Sequence, residues 1–340
     1  MGNTQGRKGW IDCVRGIAII LVVLGHFDQG QHPLYKWISS FHVAVFFVLS
    51  GMLIAMKGAY AGQPLRQVLV NRARQLLYPF FSFSLLVVIY FCLRGRGDLV
   101  ARVLWYTVTL EGYNALWFLP AMWMAECMLL VLLRSRVADW LGTAVLLAGT
   151  TVYAALQYYV IGGACPADEG ILYLMLNGLC RAGIGAVLMM AGFKGYQHAI
   201  KMEKISKGQA VLAACVCFGL GFVCGRLNGM GDLHYCVQSN PVLYYLAALM
   251  QSGGLIALCA LVVRRCAVLE FLGRNSLIIM ATHHPLPLIN LVQWIMKQMG
   301  TGMRYVDDLI GCVLVLALEA GIILLIHRWL PFMLRAPKRR

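Results

Sequence analysis

Charge is scarce in this chain. Only 13% of its 340 residues are Asp, Glu, Lys or Arg, against about 25% in an average soluble protein. That deficit, beside a hydrophobic fraction of 60%, excludes a water-soluble globular fold and points to an integral membrane protein. Polar stretches of domain length are missing too. The longest, near residues 57–76 and 194–208, are too short for an independent core. The twelve cysteines contain no CxxC pair and no repeated ligand spacing, so packing is the role expected for most of them and no metal is expected. Cys165 and Cys236 both fall in loops assigned below to the outer side, where a disulfide between them stays open. No internal repeat is visible, which weighs against the many transporters built from repeated halves.

Apolar windows of about 20 residues place spans near 11–27, 40–56, 77–93, 114–133, 140–161, 171–193, 209–225, 242–263, 275–296 and 306–327. The expected architecture is therefore an all-α integral membrane protein, a single bundle of about ten transmembrane helices forming one domain over 1–340. The first run passes through Gly25, His26 and Phe27 into a polar loop without a small-residue cleavage site, so it reads as a retained span. The N-terminus, the even-numbered loops and the C-terminus carry 20 of the Lys and Arg, the odd-numbered loops 7. The positive-inside rule then puts both termini in the cytoplasm. The net charge of +15 is explained by orientation and by anionic membrane lipids, and a nucleic-acid partner is not needed.

One stretch, "DCVRGIAIILVVLGHF" at 12–27, sets an arginine and a histidine at the two ends of an apolar run. Eleven helical steps return to within about 20° of the starting direction, about 16 Å further along the axis. Arg15 and His26 thus share one face. Two readings are open. Arg15 snorkels to water or pairs with Asp12 at i, i+3 while His26 sits at the interface, or the two mark a polar path along the first span. Neutral imidazole is suited to take a proton from a hydroxyl near pH 7.

The same run, followed by "SSFHVAVFFVLSGMLI" at 39–54, "NRARQLLYP" at 71–79, "LWFLPAMW" at 116–123 and "LGRNSLIIMATHHP" at 272–285, resembles the membrane-bound acyltransferase 3 family, particularly its fucose 4-O-acetylase-like branch. The resemblance implies transfer of an acyl group, commonly acetyl from acetyl-CoA, to carbohydrate hydroxyls at or across the bacterial cytoplasmic membrane. It also implies that Arg15 and His26 are the essential catalytic pair. One departure is Met280, where family members often carry an aromatic residue. The spacing from Ser276 favours His283 over His284 as the histidine of that motif, with an interhelical or helix-capping role as the alternative.

These pieces assemble into an expected mechanism. His26 accepts the proton of a sugar hydroxyl as its oxygen attacks the thioester, either directly or after the histidine itself is acylated. Arg15, about 16 Å away along the axis, grips the arm or phosphate end of the donor. Arg66, Arg72 and Arg74 lie on an amphipathic stretch whose guanidinium groups suit the CoA phosphates, although positive-inside topology alone would also place arginines there. Glu126 and Arg181 lie at equal depth in two spans running the same way, so an ion pair is the expectation and an acceptor-lining role the alternative. Asp28 can orient His26 only if the helix ends there. His42 opens the second span level with His26, and Trp117, Phe118 and Trp123 form an aromatic belt or a sugar platform. Asp168, Glu169, Asp232 and His234 are polar loop groups able to bond an acceptor. The acceptor side of the site is thus assigned to His42, Asp28, Glu126, Trp117 and His283. A competing reading is a solute exporter or glycan flippase, with Arg15, Glu126 and Arg181 lining the route. A third is a non-enzymatic scaffold.

Overall fold

The computed structural model describes residues 8–28, 33–58, 62–135, 137–159, 170–199, 206–229, 231–299 and 301–334, except the side chain of Asp28. Helix α1 (Gly9–Asp28) makes the first crossing. Short α2 (Pro33–Ser39) and α3 (Ala44–Lys57) make the return. Next come α4 (Leu65–Leu93), which runs through Pro79, and α5 (Gly97–Val108). A single 3-10 turn, Asn114–Trp117, feeds α6 (Phe118–Arg134), followed by α7 (Asp139–Tyr159), α8 (Ile171–Ala199) and α9 (Lys207–Asn228). The only strands among the described residues are β1 (Gly231–Asp232) and β2 (Val237–Gln238), a small antiparallel hairpin pairing Asp232 with Val237. Helix α10 (Pro241–Leu258) extends as a π turn to Val263. The chain then continues through α11 (Ala267–Arg274), α12 (Ser276–Thr282), α13 (Leu288–Met299) and α14 (Arg304–Trp329).

Nine of the described helical segments are long and apolar enough to cross a membrane. The chain is an all-α, multi-pass membrane protein. Large apolar side chains stand exposed along α7, α9 and α14, among them Val145, Leu212, Leu220 and Leu324. A lipid-facing surface needs just such side chains, because hydrocarbon, unlike water, exacts no cost for contact with them.

The nine segments overlap nine of the ten expected spans, the third starting at Leu65 instead of near 77 because the arginine-bearing stretch continues into it as one helix. The remaining expected span, 275–296, is not one helix. Pro285 and Pro287 supply no backbone N–H, and the chain turns between Thr282 and Leu288. The rising limb begins earlier, at Ala267, as α11 and α12 joined through Asn275. Glycine makes its contact with α1 close: a Cβ on Gly273 would lie 1.8 Å from the Asp12 carbonyl oxygen, and one on Gly16 2.2 Å from the Leu269 oxygen. At its other end α12 brings His283 beside His26. Helix α13 stays at that level, where Gln293 donates to the Phe27 carbonyl at 2.9 Å. Helix α14 descends antiparallel, with the Cys312 thiol near the Ile20 carbonyl and His327 Nε2 2.8 Å from Asn275 Oδ1. Gly9 and Trp329 therefore share one end of the bundle, called the near end below; His26 lies towards the far end.

Candidate active site

Three elements meet around His26: the far end of α1, the turn before α3, and the break between α12 and α13. The His26 ring stacks on His284, with centroids 4.3 Å apart and planes 18° from parallel, and lies 5.1 Å from His283. His283 is fully buried, and its Nδ1 donates to the Ile279 carbonyl at 2.6 Å. A carbonyl only accepts, so in the neutral ring Nε2 carries the lone pair. That nitrogen and His284 Nδ1 are buried with no hydrogen-bond partner among the described residues. His42 follows the same pattern, its Nδ1 donating to the Ile38 carbonyl at 2.8 Å. Its Nε2 faces α1 at Gly25, 3.9 Å from where a Cβ would stand. The break is local in origin. Thr282 and His283 fold back onto the carbonyls of Ile278 and Ile279, capping the end of α12 before the prolines.

Beside this cluster the hairpin is clamped onto the bundle. Asp232 Oδ1 accepts from the backbone N–H groups of His234 and Tyr235, an Asx turn. Arg181 donates through Nε to the His234 carbonyl at 2.5 Å and pairs with Glu111 in the loop before α6. Its guanidinium lies 5.2 Å from the Trp117 ring, on which His234 stacks at 5.3 Å and 14°. Burial, reinforced by the Arg181 charge, pushes the His234 imidazole well below its ordinary value. Burial also raises the Asp232 carboxyl, against the pull of the two N–H groups it accepts from.

The expected Glu126–Arg181 ion pair does not form. The parallel helices α6 and α8 are in register at Ala125 and Gly185, so Arg181 stands about one turn nearer the far end than Glu126. Glu126 is fully buried and instead binds Arg72 through both oxygens, while Ser50 donates to it at 2.7 Å. Arg72 also donates to Gln75. Of the three arginines assigned to the donor, Arg72 is thus engaged inside the bundle. Arg66 and Arg74 remain exposed and, with Pro64, Gln67 and Val70, line a cavity of about 610 Å³ at the near end.

Arg15 sits 3.9 Å from Asp12, the i, i+3 contact, in a near-end cluster where Arg274 meets both Asp12 and Glu270. The polar path expected along α1 itself is absent. Between Arg15 and His26 their shared face carries Ile19 and Val22, both buried. Polar groups within the bundle come from other helices, among them Thr282 and Glu319 of α12 and α14, helices that pack on α1 and on each other. The Asp28 side chain, Cys165, Asp168 and Glu169 lie outside the described residues, and with Cys165 the disulfide left open above; Cys236 is a buried thiol.

His26, His283 and His42 are therefore brought together, with Trp117 in the adjoining hairpin clamp; Glu126, Arg72 and Arg15 are apart from them. Sequence reasoning missed the part played by His284, the Glu111 partner of Arg181, and the Thr282–Glu319 pair. A lone carboxyl inside the apolar run "CVLVLALEAGIILLI" was the available signal for Glu319.

A family model described as an acyltransferase domain matches residues 8–327, nearly the whole chain and every element of this site. No curated protein and no solved structure gives a match. With the match spanning the chain from α1 to the last turn of α14, this membrane protein belongs to the acyltransferase 3 family.

Proposed function

We propose that the protein transfers an acetyl group from acetyl-CoA to a hydroxyl of a carbohydrate or lipid-linked glycan, in the bacterial cytoplasmic membrane, with both termini cytoplasmic and His26 as general base. The observation that carries this reading is the packing of His26 against two further imidazoles at a helix break, inside an acyltransferase domain. Such an array holds a neutral base in a fixed orientation. In the direct route His26 takes the hydroxyl proton as the sugar oxygen forms its bond to the thioester carbonyl carbon. The carbon–sulfur bond then breaks, and His26 returns the proton to the departing CoA thiolate. His42 and Trp117 stand beside this centre as acceptor contacts. The exposed Arg66 and Arg74 suit the CoA phosphates at the near end. Arg15 steers the arm between them, since about 16 Å of axial rise keeps it from the reacting carbonyl. The motifs at 12–26 and 39–54 favour the fucose 4-O-acetylase-like branch.

The test is incubation of the purified protein in nanodiscs with acetyl-labelled CoA and candidate glycans. Label on a sugar hydroxyl, with one CoA thiol released per acetyl transferred, supports the proposal. Movement of glycan across a sealed bilayer with no label transferred overturns it in favour of an exporter.

A further inference from the structure

Glu319 stands in the middle of α14, fully buried. Among the described residues no basic side chain pairs with it. Its hydrogen-bond partner is the Thr282 hydroxyl, 2.9 Å from Oε1 and 2.8 Å from Oε2. The same hydroxyl lies 2.7 Å from the Ile278 carbonyl. Three oxygens thus surround Thr282 Oγ1, which has one hydrogen to give. A carbonyl cannot donate. If Glu319 were a carboxylate, either it or the Ile278 carbonyl would face the lone pairs of Thr282 with no hydrogen between them, and an unpaired anion would stand in hydrocarbon. Protonation removes the conflict: the acid donates through one of its oxygens to Thr282 Oγ1, and Thr282 donates to the Ile278 carbonyl.

Thr282 immediately precedes His283, whose ring is fastened to the next carbonyl, that of Ile279. The two side chains therefore anchor the last turn of α12 at adjacent positions, and Glu319 ties that turn to α14. We infer that Glu319 is a neutral, hydrogen-donating carboxylic acid in the membrane interior that holds Thr282 and, through it, the His283–His284 break against His26. It is a positioning residue for acyl transfer, and the catalytic half of the inference rests on the function proposed above.

The neutral acid makes Glu319→Gln an informative change, because an amide also donates and accepts while carrying no charge. We expect E319Q to keep kcat within about threefold of wild type. Glu319→Leu and Thr282→Val, which each remove one end of the bond, should lower kcat by about tenfold to 100-fold with the KM for acetyl-CoA unchanged. Thr282→Ser, which restores the hydroxyl, should recover most of the rate. Infrared spectroscopy of the wild type in nanodiscs should show a protonated-carboxyl stretch that persists between about pH 5 and about pH 8 and is missing from E319Q. An E319Q as impaired as E319L, wild-type kcat in both E319L and T282V, or a carboxyl band that E319Q leaves unchanged would each overturn the inference. His26→Ala in the same assay separates the two proposals. If it transfers acetyl normally the reaction assigned above fails, while the infrared result still decides the state of Glu319.

Discussion

Replacing Gly273 by alanine should move the histidine-bearing helix without touching a histidine. The added Cβ would stand 1.8 Å from the Asp12 carbonyl oxygen, whereas ordinary contact begins near 3.4 Å, so α11 must retreat from α1 by about 1.6 Å. Only Asn275 separates α11 from α12, and the displacement is carried to the turn holding His283 and His284. Misplacement of reacting groups by about 1 Å costs about 100-fold in rate, and overpacking of this kind costs about 1–3 kcal/mol of stability. The expected result is a kcat lowered about 100-fold and a reduced thermal midpoint. The assay is acetyl transfer by the purified variant in nanodiscs, run below its own midpoint so that unfolding does not enter. Gly253→Ala is the control: its Cβ meets nothing within 4 Å and both quantities should stay at wild type. Wild-type kcat in the Gly273→Ala protein would refute the argument that the α1–α11 contact sets the histidine geometry.

The near-end arginines should separate by role. Arg66→Ala and Arg74→Ala raise the KM for acetyl-CoA with little effect on the acceptor, and an unchanged donor KM in both would contradict a phosphate contact. Arg72→Ala instead lowers the thermal midpoint, because it strands the buried Glu126 carboxylate; a midpoint equal to wild type would show that the pair does not matter to the fold. The hairpin should weaken in acid. An unfolded histidine takes up its proton as pH falls through about 6.5, while folded His234, held well below that value by burial and Arg181, does not. The unfolded state then binds more protons, so stability is present above about pH 6.5 and is lost as pH falls below it. The thermal midpoint of His234→Gln should therefore drop less between about pH 7.5 and about pH 5 than that of wild type, and an equal drop would exclude His234 as the source.

Hydrophobic run length made the membrane class and most of the crossings legible. Helical spacing made Arg15 and His26 visible as a pair on one face. It could not show what fills that face, and Ile19 and Val22 pack it with hydrocarbon. The break at 283–287 was written in Pro285 and Pro287, yet a window tuned to apolar length read straight across them. The Glu126–Arg181 pairing failed for a subtler reason. Depth along a helix can be counted from sequence, but the register between α6 and α8 depends on tertiary packing, here Gly185 against Ala125 and Phe47. Long side chains then amplified a one-turn offset into different partners, Arg72 for the acid and Glu111 for the base. Arg72 shows the limit of composition most plainly. Beside Arg66 and Arg74 it looked like one of three phosphate ligands, and only the fold turns it inward. The Thr282–Glu319 bond joins residues 37 apart in sequence and left no trace beyond a single acid in an apolar helix.

The central claim is that the imidazole of His26 performs the proton transfer. It is tested most directly by the turnover of His26→Ala, measured with labelled acetyl-CoA and the acceptor identified for the wild type, on protein whose thermal midpoint shows it folded. The account predicts a kcat lower by about 100-fold to 10,000-fold, with the KM for acetyl-CoA unchanged. Turnover equal to wild type would contradict it.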